Sequence, residues 1–319
     1  MTALSWSGSW RRSERGHART IEQATSLAAI ALLFGWTVAG LLESRRLDDA
    51  DHAARAHATH SSHAAEDAPA PEVLIAAYGG TPYTYDSDVH FKRIGRGAVR
   101  DFTVEKVEWE GQPFKHPVYY GVRVARWSEG GQFGGMVDFT HSKAISRMAQ
   151  EVRIKGTLDG QPVPEKARIS DLFQKLEFSH GHNMLMATGL MRLSSSFAPR
   201  VSPYVGLGAG VSLPHTEIHL HKNDPKRTYE YQFTGPSLQG LVGIEFRLPR
   251  VSCFVEYKFT FASYSAPLTG RDGTWLPLDV WAQIQRWLAG GAPTGGYADT
   301  QLASHQLVGG LGVRVGLAR

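Results

Sequence analysis

Between Val251 and Phe261 every second residue is apolar. Val251, Cys253, Val255, Tyr257, Phe259 and Phe261 share one face, and Ser252, Phe254, Glu256, Lys258 and Thr260 share the other. Ser202–Leu213 repeats the pattern: Pro203, Val205, Leu207, Ala209, Val211 and Leu213 oppose Tyr204, Gly206, Gly208, Gly210 and Ser212. Side chains of an extended chain point alternately to its two sides, so period two marks a strand with one apolar and one small or polar face. Such segments recur at about 73–85, 117–128, 133–144, 183–196, 202–213, 234–248, 251–264 and 304–317, eight in all.

The connections constrain the fold further. Those after the second, fourth and sixth segments are short ("SEGGQ", "SFAPRVS" and "LPR"), and those after the first, third, fifth and seventh are long and irregular. Short turns at one end and long loops at the other are the pattern of an outer-membrane β-barrel. In lipid every backbone N–H and C=O must be paired, and a closed antiparallel sheet does this with no free edge. The expected fold is therefore all-β: an eight-stranded antiparallel transmembrane β-barrel over residues 72–319, in the bacterial outer membrane, with short periplasmic turns and long external loops. Tyr119, Tyr120, Trp127, Phe133, Tyr204, Tyr257 and Phe261 lie near strand ends, where lipid-facing aromatic girdles form. A barrel this narrow is filled by its own side chains and is no pore. A soluble β-sandwich or lipocalin-like barrel would alternate similarly, but without an apolar outer face and regularly alternating loop lengths.

The N-terminal residues fit export. Arg11, Arg12, Arg15 and Arg19 precede an apolar run from Ala24 to Leu42, with small residues at Thr37 and Ala39. Residues 1–42 read as an export signal or an uncleaved membrane anchor. Residues 43–71 are rich in Ala, His and charge and read as a disordered linker. Its histidines, His52, His57, His60 and His63, fit a solvated tail. Cys253 is the one cysteine, so there is no internal disulfide or Cys-based metal site. The near-balanced charge, net +4, gives no sign of nucleic-acid binding.

The lumen-facing parity carries Arg123, Asp138, Glu245, Arg247, Glu256, Lys258 and Arg314. Glu245, Arg247 and Arg314, near the periplasmic end, are expected to pair across the interior, because unpaired buried charge is expensive. Asp138, Glu256 and Lys258 are expected in the upper barrel, with His141 at the rim. His180, His182 and Asn183 ("EFSHGHN"), His215, Glu217 and His219 ("PHTEIHLH"), His305, and Asp88 and His90 fall at the same end. His215, Glu217 and His219 alternate, so an extended backbone turns all three the same way. Converging His, Asp and Glu suit general acid–base chemistry or a divalent metal. His141 falls on the lipid-facing parity, so it joins Asp138 only if the sheet pattern breaks between them.

The seventh connection contains "LDVWAQIQRWLAGG". Val280, Trp281, Ile284, Trp287 and Leu288 form one face of a short helix, with Asp279 as N-cap and Gly290–Gly291 as its end. It suits either the membrane interface, with Arg286 toward lipid phosphates and Trp281 in the interface, or packing on the barrel rim.

"EGQPFKHPVYYGVRVARW", "MVDFTHSKA", "LEFSHGHN", "YVGLGAGVSLPHTEI", "YQFTGPSLQGLVG" and "VEYKFTF", in that order over about 73–317, resemble the lipid A oxidase family of outer-membrane proteins in rhizobia and their relatives. The resemblance implies oxygen-dependent oxidation of the proximal glucosamine of lipid A to 2-aminogluconate, with release of hydrogen peroxide. Lipid A or lipopolysaccharide is then the substrate, the chain is a membrane-embedded monomer with no nucleic-acid partner, and the active site faces the outer leaflet. The reaction needs a base for the anomeric hydroxyl and a route for two electrons to molecular oxygen. "GLGAG" lies inside a strand, so no flavin or nicotinamide is expected. A divalent metal ion at the rim is expected instead. His141, His180, His215 and Glu217 are its candidate ligands, with Asp138 or Glu256 as base. Candidate catalytic residues are Asp138, His141, His180, Asn183, Glu256 and Lys258; Arg286 and Trp281 are candidate substrate contacts. Lipid A 3-O-deacylase barrels carry a His-x-Ser-Asn motif. "HGHN" keeps His180 and Asn183 but has His182 in place of the serine, which weakens a hydrolase reading. A structural or adhesive barrel is the non-enzymatic alternative.

Overall fold

The computed structural model describes residues 70–93, 100–158, 160–193, 200–221, 227–273 and 275–316. The expected export segment and nearly all of the linker lie outside the described residues. In chain order the strands are β1 (Glu72–Thr84), β2 (Ser87–Lys92), β3 (Arg100–Val107), β4 (Trp109–Glu110), β5 (Tyr120–Trp127), β6 (Phe133–Ser146), β7 (Glu151–Leu158) and β8 (Gln161–Pro162). They continue with β9 (Lys166–Arg168), β10 (Phe173–Arg192), β11 (Val201–Ser212), β12 (His215–Leu220), β13 (Thr228–Tyr231), β14 (Gly235–Arg247), β15 (Val251–Pro267) and β16 (Tyr297–Gly316). Short helices occupy Ile169–Leu172 and Leu276–Leu288.

Eight of these strands close a barrel in the order β1-β5-β6-β10-β11-β14-β15-β16, and β16 returns to β1 from Glu72↔Gly316 to Thr84↔Ser304. Every neighbouring pair is antiparallel. All eight alternating segments of the sequence are barrel strands. The outer face stays apolar and open: Leu207 is 77 % exposed and Leu311 61 %, with Ile75, Val122, Val124, Val137, Leu238, Val242 and Val255 beside them. A surface of that kind is stable only where lipid covers it. The protein is an eight-stranded transmembrane β-barrel of the outer-membrane kind.

Three of the expected girdle aromatics do not face lipid. Tyr119, Trp127 and Tyr204 are buried in the lumen. Tyr119 and Tyr204 donate their hydroxyls to Gln306 and Glu256, and the Trp127 ring lies 3.8 Å from the Arg192 guanidinium. In a barrel this narrow the interior needs large side chains as much as the exterior does, so an aromatic near a strand end is not by itself a lipid anchor.

The long connections are not irregular. Above the barrel, the outer end of β16 pairs with β2 at Tyr297–Asp299, β2 with β3, and β3 with β7, so the wall continues past the membrane. A buried cluster fills this cap, with Phe91 stacked on Phe102 at 4.9 Å and against Phe173 at 5.1 Å. On the other side β11 runs on into β12, which pairs with β10 and β13, and β13 returns to β14. The long loops therefore carry β-structure and bury a core of their own.

Two charge networks fill the lumen. Near the middle, Arg123 donates to both Glu256 oxygens at 2.8 and 2.9 Å and sits 3.5 Å from Asp138. Lys258 reaches Asp138 at 2.5 Å and the Tyr78 hydroxyl at 2.8 Å, and Tyr78 donates to Asp138 at 2.7 Å. Two cations thus face two anions with every charge engaged, the condition for tolerable buried ions. Gly121 makes room for this set, because a β-carbon there would lie 1.9 Å from the Tyr78 ring. Near the short turns Glu72, Arg192, Glu245, Arg247 and Arg314 form the second network. It contains the pairing expected of Glu245, Arg247 and Arg314, with Glu72 and Arg192 as the partners.

Candidate functional site

Strand β6 does not break between Asp138 and His141. Its pairing with β5 runs unbroken from Gly134 to His141, and its pairing with β10 runs from Phe133 to Ser142. Asp138 therefore points into the lumen and His141 out of it, on opposite sides of one wall. Asp138, Glu256 and Lys258, expected in the upper barrel with the rim histidines, are instead locked in the mid-barrel network, with the Asp138 and Lys258 side chains 0 % exposed. The irregularity lies in the partner strand: β10 shifts register between Phe178 and His182, so Ser179–Gly181 bulge from the wall. Gly181 has φ +138°, and a β-carbon there would sit 2.3 Å from the Asn183 amide.

His141 and Asn183 face each other across β6 and β10 on the outer wall, just above Val137, Phe139 and Leu185 of the apolar belt. The Asn183 amide nitrogen donates to the Leu213 carbonyl at 3.2 Å, which orients the side chain and leaves its oxygen as an acceptor. The 2.8 Å contact with His141 Nδ1 is then Nδ1–H donating to that oxygen. The remaining ring nitrogen, Nε2, carries a lone pair; it is buried and has no partner among the described residues. The Tyr120 ring stacks on the imidazole at 4.7 Å.

The rest of the cluster stands above this pair. His180, on the bulge, lies 5.0 Å from the His215 ring and 5.4 Å from Tyr229. His215 is also against Tyr229 and Tyr231, at 4.3 and 4.6 Å. Glu177 and Glu217 sit directly opposite across β10 and β12. Lys175 reaches Glu177 at 2.9 Å, and Ser179 donates to Glu217 at 3.1 Å. Burial, then the neighbouring Glu177, pushes the Glu217 carboxyl above its ordinary value, so it holds a proton to higher pH than a solvated glutamate. Burial and the nearby His180 push His215 down to about 4, which keeps it neutral. Its pKa is lower folded than the 6.5 of a free imidazole, so the unfolded chain binds the extra proton and stability falls as pH drops from about 6.5 toward 4. Protection factors of the β12–β13 hairpin amides, taken against intrinsic exchange at each pH, are expected to fall over that window and to lose the effect in His215→Phe.

Of the four candidate metal ligands, His180, His215 and Glu217 gather in this patch and His141 lies below them with Nδ1 committed to Asn183. Glu217 is 3.9 Å from His180. Among the described residues no three His, Cys, Asp or Glu side chains converge as a metal cage would require. His219 stays on the β12 face of His215 and Glu217, and three other histidines stand apart. His182 turns inward against Tyr264, His90 pairs with Asp101 at 2.9 Å in the cap, and His305 bonds Tyr85 and Tyr257 on another part of the outer wall.

The helix Leu276–Leu288 begins after Trp275 rather than at Asp279. Asp279 accepts the Tyr231 backbone N–H at 3.2 Å, and Gln283 bonds both backbone groups of Phe233. The polar face thus holds the protein, and Trp275, Leu278, Trp281, Trp287 and Leu288 are left exposed. Arg286 points to the buried Glu230, at 3.4 Å. Glu177, Ser179, Gly181, Tyr229 and Tyr231 were not expected from sequence, and Tyr120 was expected only as a lipid-facing girdle aromatic. Glu177, Ser179 and Gly181 lie within "LEFSHGHN", but only strand pairing sets them against Glu217 and Asn183.

No family model and no curated protein matches the chain. Among solved structures it is similar to Neisserial surface protein A, at 10 % identity over 78 % of this chain and 99 % of that one, with a TM-score of 0.32. It is similar to outer membrane protein AlkL in DMPC lipid bilayers, at 14 % identity over 82 % and 97 % of the two chains, with a TM-score of 0.36. Ail, the attachment invasion locus protein of Yersinia pestis, matches at 11 % identity over 77 % and 99 %, with a TM-score of 0.30. No residue role carries over from any of them.

Proposed function

We propose that this barrel modifies lipid A in the outer leaflet, oxidising the anomeric carbon of the proximal glucosamine to give 2-aminogluconate. One observation carries the reading: a patch of His141, Asn183, His180, His215, Glu177 and Glu217 on the outer wall, immediately above the lipid belt. Polar and titratable groups are costly on that wall unless they meet headgroups, and a lipid reaches them by lateral diffusion alone. The resemblance of the ordered motifs to the lipid A oxidase family supplies the choice of oxidation.

In this reading His141 is the base. Asn183 holds the tautomer with Nδ1–H, so Nε2 takes the proton of the anomeric hydroxyl once the sugar displaces Tyr120. The anomeric C–H bond breaks and its electron pair passes to molecular oxygen, which leaves as hydrogen peroxide with two protons; water then opens the lactone to the acid. The exposed tryptophan face of Leu276–Leu288 suits acyl chains and headgroups at the interface. A hydrolytic reading fits less well, because His182, at the serine position of the deacylase motif, faces the lumen.

Mass spectrometry of lipid A from cells with and without the protein tests the proposal. Gain of one oxygen on the proximal sugar supports it, loss of an acyl chain points to a deacylase, and no change leaves a structural barrel. Repeating the assay after exhaustive chelation tests for a metal. Gly181→Ala forces Asn183 off His141, so it is expected to reduce conversion by about 10-fold or more while the barrel still shows heat-modifiable gel mobility.

A further inference from the structure

The second lumen network has a property that pairing alone does not account for. At the short-turn end, Glu72 receives Arg192 at 2.6 Å, Arg247 at 2.7 Å and Arg314 at 3.3 Å. Glu245 receives Arg192 at 2.9 Å and the Ser252 hydroxyl at 2.6 Å. Three guanidiniums therefore face two carboxylates, and one positive charge is left over. The Nε groups of Arg192, Arg247 and Arg314 are all buried, and none has a partner among the described residues. The Arg192 side chain is only 10 % exposed. These residues border a cavity of about 290 Å³ at the barrel mouth, with Glu72 and, from the short turns, Gly131 and Pro249 among its other lining residues.

A surplus cation with unspent N–H donors beside a water-sized or larger space is the electrostatic requirement for an anion. The mid-barrel network, whose Arg123 Nε also has no partner among the described residues, differs in charge and access: its two cations and two anions balance, and the Lys258 ammonium is fully sealed. Of the two networks among the described residues, the lower one is open and unbalanced. The mouth lies at the periplasmic side, where the strands are joined by short turns. Guanidiniums prefer planar or tetrahedral oxyanions that accept two N–H groups at once, which a chloride does not.

We infer that the periplasmic mouth of the barrel is a binding site for a singly charged phosphate group, taken either as free phosphate or as the phosphodiester of a phospholipid headgroup. The bound oxyanion neutralises the surplus charge on Arg192, Arg247 and Arg314. The site is remote from the outer-wall cluster and independent of its chemistry.

The test uses the purified full-length barrel in detergent. Inorganic phosphate is titrated against chloride at matched ionic strength, and dihexanoylphosphatidylglycerol is titrated in parallel, with calorimetry and thermal unfolding as readouts. Saturable phosphate binding and a raised Tm are expected. Arg247→Gln cancels the surplus charge and is expected to weaken binding by about tenfold or more, as loss of a charge-assisted bond does. Glu72→Gln enlarges the surplus and is expected to tighten binding several-fold, even though it lowers the Tm of the ligand-free protein. Tighter binding of the lipid assigns the site to headgroups, and binding of inorganic phosphate alone assigns it to the free anion. Absence of phosphate binding, or binding moved by neither variant, overturns the site and leaves a salt-bridge network that only braces the barrel. Heat-modifiable mobility of each variant confirms that a folded barrel was measured.

Discussion

Lys258→Met is expected to destabilise the barrel by about 3–5 kcal/mol, the usual cost of removing one partner of a buried ion pair. Lys258 contacts Asp138, Tyr78 and Thr140 at once, and its removal strands the Asp138 carboxylate in a dry interior with Arg123 3.5 Å away. Urea unfolding from lipid vesicles, followed by loss of the fast-migrating folded form on gels, measures the change. Removing both charges in Lys258→Met with Asp138→Leu is expected to recover much of the loss, because no uncompensated ion remains. The double variant also separates bracing from chemistry. If these residues only brace the barrel, lipid A conversion returns with stability; if they take part in the reaction, the barrel refolds and conversion stays lost.

His141→Ala is expected to lower lipid A conversion by about 10²–10⁴-fold, the range for loss of a positioned general base, with barrel stability little changed. Asn183→Leu is expected to fall between wild type and His141→Ala. It leaves the imidazole in place but removes the acceptor that fixes its tautomer. The ratio of oxidised to unmodified lipid A, read by mass spectrometry at matched protein levels in the membrane, measures both. Equal conversion by wild type and His141→Ala would discard the base assignment.

The barrel strands were legible because their pattern is local. Val251–Phe261 alternates over a whole membrane crossing, so its parity and its lipid face follow from residue order alone. Lumen charge was equally legible: Glu256 and Lys258 fall between apolar neighbours and had to point inward. Their partners were not. Arg123, Asp138 and Lys258 belong to three strands, and which charges meet depends on the stagger of the closed sheet. Parity within each strand, not stagger, makes Tyr119, Trp127 and Tyr204 lumen fillers: Tyr119 and Trp127 share the face of Arg123, and Tyr204 shares the face of Gly206 and Gly208.

The candidate site was legible as a set of residue types at one end of the barrel and misread as a convergence at its mouth. "MVDFTHSKA" and "LEFSHGHN" contain His141, His180 and Asn183, and the spacing of His215 and Glu217 gave their common face. The sequence by itself determined an eight-stranded antiparallel barrel, its lipid and lumen parities, and the end at which its histidines collect, because each depends on a period of two read along one strand. The tertiary structure decided that His141 stays on the outer parity while β10 bulges around it, that Glu177 meets Glu217, and that the loops fold into a cap with a core. Those outcomes depend on register between strands far apart in sequence, and one residue of slip changes every contact across the wall.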